Sequence, residues 1–225
     1  LGLAVDRIVE QGGTAFLSEL AELLGTEHIM KRRAATPEVY EQISAVLSHT
    51  EDVLERMTKD YVRTSEQAAL VTPGNFDGGV SSVSEKALGG IHKSGSCKFV
   101  GVVGYAEQPK GTGLYLMAAA GDDSDIATSL VAGGAQIIAF TTGRGTPTGF
   151  PGVPVLKITG NSKTYRNMED DMDYNAGRVM DGEITLEQAG QEIYQEILKI
   201  AGGKPTKAEV LGHDELFSIG RYDCF

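Results

Sequence analysis

Four hydroxyl residues, three glycines and one arginine crowd into the segment Phe140-Thr141-Thr142-Gly143-Arg144-Gly145-Thr146-Pro147-Thr148-Gly149. The apolar run Gln136-Ile137-Ile138-Ala139-Phe140 leads into it and reads as a buried strand. Glycines let a backbone turn sharply and bring N–H groups close to a ligand. Arg144 supplies a flat, permanently charged fork that matches a carboxylate or a phosphate. Strand ends of this kind are where open α/β sheets bind ligands. The same residues also read as an ordinary turn with a solvated arginine.

A second glycine-rich stretch, Pro73-Gly74-Asn75-Phe76-Asp77-Gly78-Gly79-Val80, runs on to Ser84-Glu85-Lys86. It carries neither GxxxxGK[ST] nor GxGxxG, so it is neither a P-loop nor a dinucleotide fingerprint. Asn75 can donate to a substrate hydroxyl or carboxylate. Lys86 can act as a cation or, when desolvated, as a base. A turn entering a helix, with Glu85 and Lys86 in solvent, is the plainer reading. His28 follows Glu19 and Glu22 by one to two helical turns, and such a group can shuttle a proton or touch a divalent metal. A surface or capping histidine is the alternative. Asn161, just past an apolar run, lies at another strand end and can join the Arg144 loop. His49, His92 and His213 are isolated, with no HExxH pattern. The acidic run Glu169-Asp170-Asp171-Met172-Asp173 can attract a cation, with a solvated face as the plainer reading, and Cys97 reads as a structural thiol.

The elements that must hold these groups are legible as alternating strands and helices. Thr14–Leu17, Phe99–Tyr105, Gly113–Ala118, Gln136–Phe140 and Val153–Ile158 read as strands. Leu1–Glu10, Ser18–Met30, a long helix from Thr36-Pro37 to about Lys59, Ser82–His92, Asp125–Ala132 and Thr185–Ile200 read as helices. Thr185 and Gln188 suit a capping box. The alternation predicts an α/β fold: a mainly parallel sheet flanked by helices, Rossmann-like, with a helical N-terminal segment. Arg63–Pro73 reads as a linker. It divides a mostly helical segment, 1–65, which completes an upstream domain, from an α/β domain with glycine-rich ligand loops, 66–225.

The 225 residues carry a net charge of −11, which argues against a broad nucleic-acid surface but not against a local anion pocket. No apolar run approaches a membrane span. The two cysteines, Cys97 and Cys224, make no disulfide framework, so a reducing cytoplasm is expected. The start without Met, already in helical periodicity, suggests a piece of a longer chain.

Four blocks resemble the altronate/galactarate dehydratase family, which also includes the sulfolactate sulfo-lyase large subunit. They are Gly12–Glu19 with Thr26-Glu27-His28 and Arg33-Ala34; Pro73-Gly74-Asn75…Gly78-Gly79 with Glu85-Lys86-Ala87-Leu88-Gly89; Phe140–Pro147; and Asp171-Met172-Asp173 with Ala176-Gly177. The resemblance is to the C-terminal portion only, which implies a missing N-terminal domain or subunit and leaves the activity of this piece alone in question. It implies a hydro-lyase that eliminates water from an aldonate or aldarate to give a 2-keto-3-deoxy acid, assisted by a divalent metal, Fe(2+) or Mn(2+). Altronate-like substrates come first, and the tail Ala208–Glu215 leans towards hexonate or sulfolactate over galactarate. In that setting Arg144, with the backbone of Gly143 and Gly145, would hold a carboxylate, and Thr141, Thr142 and Thr146 would bind hydroxyls. Asn75, Asn161 and Lys86 would face the same pocket, with Lys86 a candidate base, and His28 and Glu19 would transfer protons or touch metal. A homo-oligomer is implied, with no nucleic-acid or membrane partner. The reading from another class is a non-catalytic domain that binds a sugar acid or a partner subunit.

Overall fold

The computed structural model describes residues 1–61, 80–119, 122–214 and 218–219, with side chains in the first of these through residue 56. The strands fall into two parallel sheets of three. The first takes β1 (Thr14–Leu17), β2 (Phe99–Val103) and β3 (Gly113–Met117) in the order β1-β3-β2. The second takes β4 (Ile138–Thr142), β5 (Val155–Thr159) and β6 (Tyr174–Asn175) in the order β4-β5-β6. β4 and β5 run from Ile138 opposite Val155 to Thr142 opposite Thr159. The fold is α/β and parallel as expected, with the strands shared between two sheets. The first sheet draws strands from both sides of residue 65, since Thr14–Leu17 register with Gly113–Leu116.

Eight α-helices and two 3-10 turns surround the strands among the described residues. Helix α1 (Gly2–Glu10) buries Ala4 against Leu156, Ile158, Ile193 and Ile200, while Val5 and Val9 pack on the core of the first sheet. One short helix therefore serves both sheets. Helix α7 (Leu186–Ala201) begins with the capping box formed by Thr185 and Gln188, and it lies against α1. Gly190 makes that approach possible, since a Cβ there would sit 2.7 Å from Leu3 Cβ.

Ser18–Met30 is not one helix. Glu19 adopts a left-handed backbone, φ 70, and is followed by a 3-10 turn, Leu20–Leu23. Gly25, at φ +88, breaks the chain again before α2 (Glu27–Arg33). Helix α3 (Pro37–Tyr61) starts as its sequence dictates, with Thr36 Oγ1 accepting from the Val39 N–H. Helix α4 (Val83–His92) is capped by Ser82. Helix α5 (Asp123–Ala132) starts two residues before the expected Asp125, because Asp122 is the cap that accepts from Ser124 and Asp125 N–H. Helices α6 (Ser162–Asn167) and α8 (Lys207–Leu211) and strand β6 were not anticipated from the sequence. The Arg63–Pro73 linker, the Pro73–Gly79 block with Asn75, and Cys224 lie outside the described residues.

Candidate functional site

At the C-terminal end of β1 the chain leaves the sheet through Ser18 and Glu19. Ser18 Oγ donates to the carbonyls of Met117 and Ala119, which ties this exit to the end of β3. The left-handed turn at Glu19 is uncommon for a residue with a Cβ, and such turns concentrate at functional sites. It is followed directly by the 3-10 turn that presents Glu22.

Helix α4 brings two lysines to these carboxylates. Lys86 Nζ lies 2.5 Å from Glu22 Oε1, with both side chains largely buried, and Lys93 Nζ lies 4.0 Å from Glu22 Oε2. Burial pushes the Glu19 carboxyl up to about 8, helped by the Glu22 charge and by a hydrogen bond to Glu22, with Asp123 adding a smaller repulsion and Lys93 opposing. A carboxyl in that position keeps its proton at neutral pH. Asp123, at the start of α5, is also raised, by partial desolvation and then by Asp122 and Glu22. The arrangement is a protonated carboxyl beside an ionised one, with ammonium groups around the ionised partner.

The second group stands at the C-terminal end of β4 and β5. Gly145 has φ +82, and a Cβ there would also collide with Met168 Sδ, so only glycine fits. Its N–H donates to Thr142 Oγ1 at 3.1 Å. Thr164 Oγ1, on α6, donates to the Gly143 carbonyl at 2.8 Å. Thr146 and Thr148 share a hydrogen bond between hydroxyls at 2.6 Å. These bonds shape the loop, while Gly143 and Arg144 are exposed on it. Among the described residues no carboxylate pairs with Arg144. Thr141 is partly buried on β4.

Asn161 is adjacent, but its side-chain oxygen accepts from Lys163 and Thr164 N–H, which caps α6. His28 is exposed on α2 and enters none of the Glu19–Glu22–Lys86 contacts. Glu19 and Lys86 thus gather on the first sheet, and Thr141, Thr142, Gly143, Arg144, Gly145 and Thr146 gather on the second.

Several motif residues turn out to hold the scaffold. Arg33 donates to the Cys97, Ser94 and Ile91 carbonyls and stacks on Phe99, so it pins α2 to the entry of β2. Asp6 accepts from the N–H groups of Ser96 and Cys97. Burial, with Asp6 beside it, raises the Cys97 thiol to about 11, which keeps it protonated and structural. In the acidic run, Asp173 accepts from Lys157 N–H and Lys207 N–H, both at 2.8 Å. That run is therefore a latch between β5 and α8 as much as a solvated face.

In the sequence Glu22 stands out only as a companion carboxylate to His28, and Lys157 belongs to no motif. Lys157 is fully buried, and its Nζ donates to the Pro147 carbonyl at 3.0 Å. A lysine inside the apolar run Val155-Leu156-Lys157-Ile158 was the available signal.

The description D-galactarate/altronate dehydratase, C-terminal, fits residues 1–223. The chain is 34% identical over 224 residues to the (2R)-sulfolactate sulfo-lyase subunit beta of Chromohalobacter salexigens, covering 99% of this chain and 57% of that protein. It is 36% identical to the galactarate dehydratase (L-threo-forming) of Escherichia coli, covering 91% of this chain and 38% of that one. With the altronate dehydratase of Bacillus subtilis it shares 33% identity, over 96% of this chain and 42% of the relative. The chain thus spans about half the length, or less, of the curated relatives it matches. It belongs to the D-galactarate/altronate dehydratase family, as a match to that family's C-terminal domain.

Proposed function

We propose that this chain is the C-terminal part of a lyase that removes a leaving group β to the carboxylate of an anionic hydroxy acid. Altronate-type sugar acids come first as substrate, with galactarate and sulfolactate as the alternatives; the names of the relatives support this class. The single observation that carries the reading is the Glu19–Glu22–Lys86 cluster at the end of β1, where burial and the Glu22 charge push the Glu19 carboxyl up to about 8. Elimination of water needs an acid to protonate the departing hydroxide and cations to steady the negative charge that develops. Glu19 supplies that proton, so that hydroxide leaves as water, while the neighbouring Glu22 carboxylate takes the proton from the carbon α to the substrate carboxylate as the C–C double bond forms. Glu22, held by Lys86, keeps Glu19 protonated until transfer. Lys86 and Lys93 lower the energy of the anionic state, a role that fits an ion-paired Lys86 better than that of a base. Arg144 holds the substrate carboxylate, and Thr141 takes a hydroxyl.

The family resemblance implies a divalent iron or manganese ion. The described residues do not by themselves make its site, since among them no three of His, Cys, Asp or Glu are grouped to hold a metal.

The test uses the full-length enzyme with Fe(2+) and a panel of altronate, galactarate, related aldonates and sulfolactate. Formation of a 2-keto-3-deoxy acid, or release of sulfite from sulfolactate, is the expected result. No turnover of any panel member, with the acids still binding, would leave a non-catalytic binding domain in its place.

A further inference from the structure

We infer that Lys157 is a positioning residue: its buried ammonium fixes the height and shape of the Arg144 loop by holding the Pro147 carbonyl. The inference rests on the proposed role of that loop in binding a substrate carboxylate.

Register places Phe140 beside Lys157 and Ile138 beside Val155. Side chains alternate along a strand, so Val155, Lys157 and Thr159 point to one face of β5. That face is apolar around Val155, which packs with Ala127, Ile138 and Phe150. The chain after Arg144 folds back over it, burying Phe150 and bringing the Pro147 carbonyl to within 3.0 Å of Lys157 Nζ. Lys157 is thus a post under the loop, standing in the middle strand of the second sheet.

A charge in such a place is expensive, and a methionine would fill the same volume at less cost. The cost falls on a lysine whose ammonium does two things that methionine cannot. It gives the Pro147 carbonyl a donor inside the protein, and it sets a fixed positive charge beneath the loop that carries Arg144. The surroundings are arranged to keep the charge. Burial lowers the lysine's affinity for its proton, while Asp173 and Asp171 oppose that and Lys207 adds to it. Asp173 also binds the Lys157 N–H, so backbone and charge are secured by one carboxylate.

A purely space-filling residue and a positioning residue respond differently to Lys157→Met. The full-length enzyme carrying Lys157→Met is compared with wild type for kcat, KM and amide hydrogen exchange at Gly145 and Thr148, with amides of the β1–β3 pair as an internal reference. KM is measured with the panel acid that wild type turns over fastest. The expected result is a KM raised by about 10-fold or more, a kcat within about 3-fold, and exchange at Gly145 and Thr148 accelerated by about 10-fold against unchanged reference amides. Unchanged KM and unchanged loop exchange overturn the inference. Should Lys157→Met not fold, Lys157→Gln keeps a polar side chain that reaches less far. A KM and loop exchange between wild type and a ten-fold change supports the inference, and wild-type values overturn it. The exchange readout separates the two ideas. If Arg144→Ala leaves KM unchanged, the carboxylate role fails, while faster loop exchange in the Lys157 variant still shows that Lys157 holds the loop.

Discussion

Glu19 and Arg144 divide the proposed chemistry between proton transfer and anion binding. Arg144→Ala removes a charged donor from the carboxylate and should cost about 3–4 kcal/mol of transition-state stabilisation, read as a fall in kcat/KM of about 10²–10³-fold. Unchanged kcat/KM in that variant removes Arg144 from the site. Glu19 also sets a pH dependence of stability. Its folded value of about 8 lies above the ordinary 4.5, so the native protein keeps a proton that the unfolded chain has lost between those limits. Stability therefore falls as pH rises through that window. Glu19→Gln, which cannot ionise, should lose that slope and be more stable than wild type by several kcal/mol at pH 9, as measured by urea unfolding at several pH values. Arg144 was legible in the sequence because glycines and hydroxyls surround it. The Glu19–Glu22–Lys86 contact was only half legible. Glu19 and Lys86 stood out as types, but the ion pair that couples them joins the turn after β1 to α4, and no local pattern records such a pairing.

Element by element, local chemistry decided what could be read. The caps at Thr36, Ser82 and Thr185 mark true helix starts, because a side chain there satisfies N–H groups that the helix leaves open. Helix α8 carries the same signature, Thr206 with Glu209, but only five residues follow it, too few for a periodic apolar face to announce a helix. The break between Glu19 and Glu27 was hidden because its apolar spacing is helical, and Gly25 with the left-handed Glu19 overrides it. Asp173 shows an acidic run serving as a joint. Asp173→Ala leaves the N–H groups of Lys157 and Lys207 without their carboxylate and should cost about 2–4 kcal/mol of stability, whereas Asp173→Asn should cost less. Thermal unfolding of both variants checks this, and equal losses would mean that shape rather than charge sustains the joint.

Across the whole molecule, periodicity identified β1 to β5 but neither the two-residue β6 nor the division into two sheets, because strand pairing is non-local. Helix α1 joins the two, with Ala4 on one core and Val5 and Val9 on the other. Gly190→Leu would drive a side chain into Leu3 and should lower stability by about 1–3 kcal/mol, with exchange rising first at amides of α1 and α7. A variant as stable as wild type would show that the α1–α7 packing yields freely. The two groups proposed to meet the substrate stand on different sheets, so their joint action depends on the frame that α1 and α7 complete. The most direct test of the account is the pH dependence of kcat for the full-length enzyme with and without Glu19→Gln. Wild-type kcat is predicted to fall as pH rises through about 8, as the acid loses its proton. The variant is predicted to lose about 10²–10⁴-fold in kcat and to show no such limb. A variant with wild-type kcat and the same alkaline limb would contradict Glu19 as the acid.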